Sequence, residues 1–293
     1  MKKETLGALS VLGLFYCSIV LGTHYIITKQ LSSSFDAGTL TAYRFLIAAI
    51  PLYFYILSKR KNPFENIKPG IVLGFFLWLV FILIAMGLKY TSATSAGFIS
   101  GLFFIFVPII SYFVFKTRIK LVYFPIFIIS SVGLYFLTGG LSQMGIGSLL
   151  ILFSAIFTAV HVVLVGYFSK RGLDPAILCF QQFFVVFILS LISALATQGF
   201  RLDTPEISQI LPLLFLGLLP TFSVFFVQVL SLKYSSEITA AIILSLQPGF
   251  SAFFSYWLGG EMFTTFQLIG GVLLFVSAVL FSYFKRNAEN KPV

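Results

Sequence analysis

Charge is what this 293-residue sequence has least of, with 10% Asp, Glu, Lys and Arg against about 25% in soluble domains. With 59% hydrophobic residues and a mean hydropathy of +1.03, that shortage excludes an ordinary soluble domain. Long polar stretches are missing as well. About 20 apolar residues cross one bilayer, so spans consume most of the chain and leave no room for a soluble catalytic domain. Cysteine is reduced to Cys17 and Cys179, both inside apolar runs; this argues against a disulfide framework and makes them small core residues. No G-x-x-x-x-G-K-[ST] stretch is present, so the chain has no phosphate-cradling loop for an ATP-driven pump. The only two histidines are far apart and lack acidic neighbours or a cysteine pair, which makes no metal site. No cofactor is called for. The net charge of +10 comes from short scattered clusters, so nucleic acid is not a partner. The partners implied are the lipid bilayer and a small-molecule substrate; nothing in the sequence specifies an oligomeric state.

Ten near-uncharged runs of helix length are present, at 5–27, 38–57, 69–88, 91–115, 121–138, 145–168, 174–197, 209–232, 236–258 and 264–284. They are continuously apolar rather than alternating, which excludes a barrel of strands. The fold class expected is therefore an all-α integral membrane protein. The Lys2–Lys3 start lacks a following small-residue cleavage site, so the first run reads as a retained helix. With the N-terminus in the cytoplasm, Lys2, Lys3, Lys59, Arg60, Lys61, Lys68, Lys116, Arg118, Lys120, Lys170, Arg171, Lys233, Lys285, Arg286 and Lys291 fall inside. Only Lys29, Lys89 and Arg201 fall outside. The positive-inside bias then places both termini in the cytoplasm, in a multi-pass protein of the cytoplasmic (inner) membrane.

The two halves repeat. Leu88-Lys89-Tyr90-Thr91-Ser92 recurs as Leu232-Lys233-Tyr234-Ser235-Ser236, each followed by a helix with one proline, Pro108 or Pro248. Leu40-Thr41-Ala42-Tyr43-Arg44-Phe45 aligns with Leu178-Cys179-Phe180-Gln181-Gln182-Phe183, and His24 aligns with His161. Residues 1–143 and 144–293 are thus read as two five-helix repeats. Five is odd, so the second repeat enters the membrane inverted relative to the first, and inverted repeats supply the two exchanged conformations of alternating access. Channels also use inverted repeats, and an intramembrane enzyme is the alternative of another class; the latter needs a clustered nucleophile or acid pair, and none is visible.

These residues resemble the EamA family of the drug/metabolite transporter superfamily. The likeness rests on Gly22-Thr23-His24-Tyr25, on Tyr43-Arg44-Phe45-Leu46-Ile47-Ala48-Ala49, and on Gly87 through Leu102. In the second half it rests on Leu232 through Ser236, Gln247-Pro248, Gly260-Glu261 and Gln267-Leu268-Ile269-Gly270-Gly271. The resemblance spans nearly the whole chain and implies a ten-helix transporter with a central site between helices one, three, four, six, eight and nine. Relatives carry diverse solutes, so it says little about substrate. The first repeat ends helix four with Lys116-Thr117-Arg118 in place of the usual Gly-Glu, so no carboxylate role transfers there.

Arg44 is the one charge clearly within a span, where charge is costly. It reads either as a ligand for a substrate carboxylate or as a structural arginine whose repeat mate, Gln182, keeps only the hydrogen bonding. None of the nine acids lies in mid-span, which leaves His24 and His161 as the mid-membrane groups that titrate near neutral pH; each is a candidate for substrate or proton handling, or a hydrogen-bonded spacer. Gln228 and Gln247 are amides that want a partner or water. Trp78 and Tyr25 could line a cavity and hold a cation by cation–π attraction, as could Phe81, Phe103, Phe222 and Phe226. Ser95 and Ser100 lie on a thin helix face with Gly97 and Gly101, a spacing that also permits close helix packing. Pro108 and Pro248 are candidate hinges. Glu261 is a candidate gate or a dipole partner of helix ten. The function expected is a secondary transporter, not an enzyme, exporting a small amphiphilic, amino-acid-like metabolite by alternating access. Uptake of a cationic metabolite such as choline through an aromatic-lined site is the alternative.

Overall fold

The computed structural model describes residues 3–116, 124–138, 145–198, 204–235, 237–244 and 246–289. All regular structure among them is helical, as hydrocarbon requires of backbones that must satisfy their own polar groups. The helices are α1 (Lys3–Leu31), α2 (Ala37–Ser58), α3 (Lys68–Gly87), α4 (Ala93–Gly101), α5 (Phe103–Phe115), α6 (Phe124–Thr138) and α7 (Ile146–Ser169). They continue with α8 (Pro175–Gln198), α9 (Ile207–Gly217), a π-helical turn (Leu218–Ser223), α10 (Val224–Tyr234), α11 (Glu237–Leu244), α12 (Gln247–Gly259) and α13 (Thr265–Glu289). Joining α4 with α5, α9 with α10 and α11 with α12 gives ten segments. Seven are each long and apolar enough to cross a membrane: α1, α2, α3, α4–α5, α7, α8 and α9–α10. Thr117, Arg118, Lys120, Arg201 and Ser236, on which parts of the charge and repeat arguments rest, lie outside the described residues, as do Lys2 and Lys291.

The packing exchanges between the halves. Three of the pairs in contact join equivalent segments: α2 with α8, α6 with α13, and α4 with α12. Three further sets answer one another: α3 on α7 matches α1 on α10, α1 on α11–α12 matches α7 on α4–α5, and α3 on α8 matches α2 on α9. A two-fold relation between the halves produces this exchange, with five of the ten segments in each half. Four phenylalanines mark the centre. Phe45 and its mate Phe183 meet edge-on at 5.6 Å; Phe45 meets Phe81 at 5.0 Å, and Phe183 meets Phe225 at 5.9 Å.

The ends of α2 and α8 obey the same symmetry. Asp36 accepts from Gly38 and Thr39 N–H at the start of α2 and from Gln198 Nε2 at the end of α8, 2.7 Å away. Asp174, its equivalent, accepts from Ala176 N–H and from Lys61 just past α2, at 2.5 Å. Partial burial alone would raise the Asp174 carboxyl, but Lys61 and the Ala176 N–H hold it below the ordinary range. Each aspartate caps its own helix and ties it to the far end of its neighbour.

Three segments depart from the continuous helices expected. The fourth breaks at Leu102, where N–H bonds run three residues back, Leu102 to Ile99 and Ile105 to Leu102. The ninth breaks at the equivalent Leu246, with Leu246 bonding to Ile243 and Gly249 to Leu246. Proline is not the common cause. Pro248 follows the second break directly, whereas Pro108 lies more than a turn beyond the first, inside α5. The eighth widens into the π turn because Pro220 has no N–H to give Leu216, one turn back; the Thr221 hydroxyl donates to that carbonyl instead, at 2.7 Å.

Candidate functional site

A cavity lies where the two halves meet, lined by residues of α1, α3, α4, α5, α7, α10, α11 and α12. All of its wall but Leu77 and Val80 is built from equivalent positions of the repeats. Leu21 pairs with Thr158, His24 with His161, Tyr25 with Val162, Phe81 with Phe225, Ile84 with Gln228, Ser100 with Leu244, and Phe103 with Gln247. The two helix breaks therefore sit on the cavity wall, each between a pair of lining residues. Two of the pairs are alike, His with His and Phe with Phe; each of the others sets a polar group against an apolar one. The wall is amphiphilic throughout.

His24, from α1, lies against Tyr25 with ring centroids 3.9 Å apart and planes tilted by 36°, and its Nδ1 lies 3.5 Å from an Arg44 terminal nitrogen. His161, from α7, places Nε2 2.8 Å from Gln182 Oε1. The same histidine-to-next-helix contact thus occurs twice, once with a charge and once without. Gln247 Nε2 donates to the Tyr25 hydroxyl at 3.0 Å, joining α12 to α1 across the cavity.

The free space is small, about 60 Å³, room for about two waters and far below the several hundred Å³ of ordinary small-molecule pockets. In this conformation the centre is contracted, and any larger solute requires the helices to move. A separate cleft of about 300 Å³, lined by residues including Lys61, Glu65, Asp174 and Gln181, opens among the connections at the Lys61 end. It shares no wall with the central cavity.

Of the residues singled out from sequence, His24, Tyr25, Phe81, Ser100, Phe103, His161, Gln228 and Gln247 converge on the cavity, and Phe222 and Phe226 do not line it. Arg44 does not reach its wall: it stands one side chain behind, its guanidinium carbon 4.3 Å over the Phe81 ring. Trp78 is placed elsewhere, packed with Ala37, Ile82 and Ala85. Ser95 belongs to the start of α4, its N–H bonded to the Ser92 hydroxyl that caps the helix. Pro108 and Pro248 are buried in the fourth and ninth segments. Thr158 and Phe225 were passed over, although extending the Leu88/Leu232 match upstream pairs Phe225 with Phe81 directly. Among the described residues no group of three His, Cys, Asp or Glu gathers that could hold a metal.

Glu261 takes a different place from helix ten. Thr264 and Gln267 form the reciprocal cap of α13, and Glu261 instead reaches the start of α4. Its carboxylate accepts from Ala93 N–H at 2.9 Å, from Thr94 N–H at 3.0 Å and from the Thr94 hydroxyl at 2.7 Å. Lys29 at the end of α1 sits 3.4 Å away and also donates to Thr91 O. Partial burial pushes the Glu261 carboxyl up, but these donors outweigh it and hold it below the ordinary range. The first, fourth and ninth segments are thereby tied together at the Lys29 end.

Two consecutive matches to the EamA-like transporter family cover residues 8–139 and 145–283. An uncharacterized transporter of Archaeoglobus fulgidus is 30% identical over 272 residues, covering 92% of this chain and 85% of its own length. The uncharacterized transporter YdfC of Bacillus subtilis is 28% identical over 264 residues, covering 86% and 83%. A crystal structure with 17% sequence identity superposes with a TM-score of 0.72 over 96% of this chain and 99% of its own, which supports the fold alone.

Proposed function

The chain belongs to the EamA-like transporter family, a membrane transporter of two repeats, and from that membership and the paired cavity we propose that it is a secondary carrier exporting a small amphiphilic, amino-acid-like metabolite by alternating access. The observation that carries this reading is the cavity wall built from equivalent residues of both repeats. A site on the two-fold axis stays central when the halves exchange conformations, and so can face either side in turn. Its polar groups are neutral hydrogen-bonding side chains and its remaining wall is aromatic and aliphatic, which suits a solute with one polar end and one apolar end. The Lys61 end, with Lys59, Arg60, Lys68, Lys116, Lys170, Arg171 and Lys233, is the cytoplasmic end, and both termini lie there. Arg44 behind the wall weighs against the choline-type alternative, because a fixed positive charge repels a quaternary amine.

The test is transport in proteoliposomes with oriented protein. Radiolabelled leucine should move, and excess amino acids should compete for that movement while choline does not. Competition by choline with none by amino acids would reject the reading. The appearance of a chemically altered product would favour the enzyme alternative.

A further inference from the structure

Arg44 is 2% exposed and, among the described residues, pairs with no carboxylate. Its Nε donates to Thr221 Oγ1 at 2.6 Å, one terminal nitrogen faces His24 at 3.5 Å, and the other has no hydrogen-bond partner. A cation held in this way is costly unless an anion completes it. The fold itself does not require the charge: at the equivalent position Gln182 makes the matching contact to His161 as a neutral amide.

We propose that the transported solute supplies the missing anion, a carboxylate taken by the free terminal edge of the Arg44 fork at the His24 end of the cavity. This rests on the carrier reading above and adds the ionic class of the cargo. The hydrogen-bond roles agree with it. A guanidinium only donates, so His24 Nδ1 accepts from Arg44 and its proton is left on Nε2 as a further donor. His161 gives its Nε2–H to Gln182 Oε1, which leaves Nδ1 of a neutral ring as an acceptor. The two equivalent histidines therefore offer opposite characters: donors, suited to a carboxylate, at the Arg44 end, and an acceptor, suited to an amino group, at the other. Shifting Phe81 aside, in a cavity that must enlarge to admit any solute, brings the guanidinium to the wall with its contact to His24 kept. There its free terminal nitrogen and the His24 Nε2–H can each donate to one carboxylate oxygen.

Three probes with similar branched tails test this: leucine, 4-methylpentanoate and 3-methylbutylamine. In thermal denaturation of the purified protein, leucine and 4-methylpentanoate should raise the midpoint and the amine should not. Arg44→Gln should raise the half-saturating concentration of 4-methylpentanoate about ten- to a hundred-fold, the loss of a hydrogen bond to a charged group. Arg44→Lys keeps the charge without the fork, and should bind it more weakly than wild type yet still in preference to the amine. Should Arg44→Gln fail to fold, wild type and Arg44→Lys decide. Stabilisation by the amine equal to that by the carboxylates, no stabilisation by either carboxylate, or unchanged affinity in the variants would overturn the proposal, whatever the proteoliposomes transport. A carboxylate preference without movement of any probe into proteoliposomes would leave the site standing and count against the carrier reading.

Discussion

Glu261→Ala tests the tie at the Lys29 end. The substitution removes three short bonds to the start of α4, from Ala93 N–H, Thr94 N–H and the Thr94 hydroxyl, along with the ion pair to Lys29. Bonds to a buried charge are each worth about 1.5–3 kcal/mol. The site is half-buried and Lys29 is partly exposed, so screening reduces the ion pair to under about 1 kcal/mol, and water replaces part of the rest. A net loss of about 2 kcal/mol for the state closed at this end follows, a shift of about thirty-fold in its population relative to an open state. Spin labels at Gln30 and Met262, both exposed, in a background without Cys17 and Cys179, report the separation directly. The variant should show a new or enlarged population at longer distance. A distribution indistinguishable from wild type would mean that Glu261 does not hold this end shut. The pH dependence has a defined sign: because the folded carboxyl lies below its ordinary value of 4.5, its contribution is fully present above that value and is lost as pH falls through the lower folded value. Wild type should therefore keep its distances from neutral pH down to about 5, and opening that sets in above 4.5 would contradict the assignment.

Close helix approach gives a second test. A side chain on Gly97 would overlap Ser251 of α12, and one on Gly101 would overlap Pro248, so Gly97→Ala should cost about 1–3 kcal/mol by overpacking, read as a lower denaturation midpoint in detergent; Ser251→Gly should restore part of it. Thr221→Val removes the acceptor for Arg44 Nε and the donor for Leu216 O together. It should cost about 2–4 kcal/mol through two unsatisfied buried groups, whereas Thr221→Ser, which keeps the hydroxyl, should stay close to wild type in the same measurement. Gln182→Leu leaves His161 Nε2 without its partner and should lower stability by about 1–3 kcal/mol, more than the exposed substitution Ile207→Gln, which touches nothing of the site.

The spans and the repeat were legible in the sequence because a bilayer forces long apolar runs and a duplication leaves matched words such as Leu-Lys-Tyr in both halves. Which face of each helix turns inward was far less legible. Lipid and protein interior are equally apolar, so a helix such as α3 carries no polar stripe to mark the cavity. Trp78 and Phe81, one turn apart in the same run, ended in different surroundings for that reason. His24, His161, Gln228 and Gln247 could be picked out because a polar side chain in hydrocarbon needs a partner. The breaks at Leu102 and Leu246 were hidden, since only one has a proline beside it. The Glu261 contact was hidden too, because a carboxylate preceding a helix gives no sign that it will serve a different helix far away in the chain.

The two halves match in their cavity positions but not in what holds their ends. Closure at the Lys29 end uses a charged cap on α4, supplied from the connection before α13. The first half offers no carboxylate at the corresponding place, where the sequence reads Lys116-Thr117-Arg118. Among the described residues the Lys61 end is held by the Lys61–Asp174 pair, whose side chains are 50% and 29% exposed and which contributes little, and by the Gln181 amide, which donates to Pro63 O and Glu65 O. The two ends are therefore held by chemically different contacts, a half-buried charge at one and an exposed pair with a neutral amide at the other. Under the proposed topology the Glu261 contacts lie at the extracellular end. A carrier closed by the Glu261 contacts would present its site to the cytoplasm, the side from which the proposed exporter loads, so the Glu261→Ala distance measurement also bears on the proposed direction of transport.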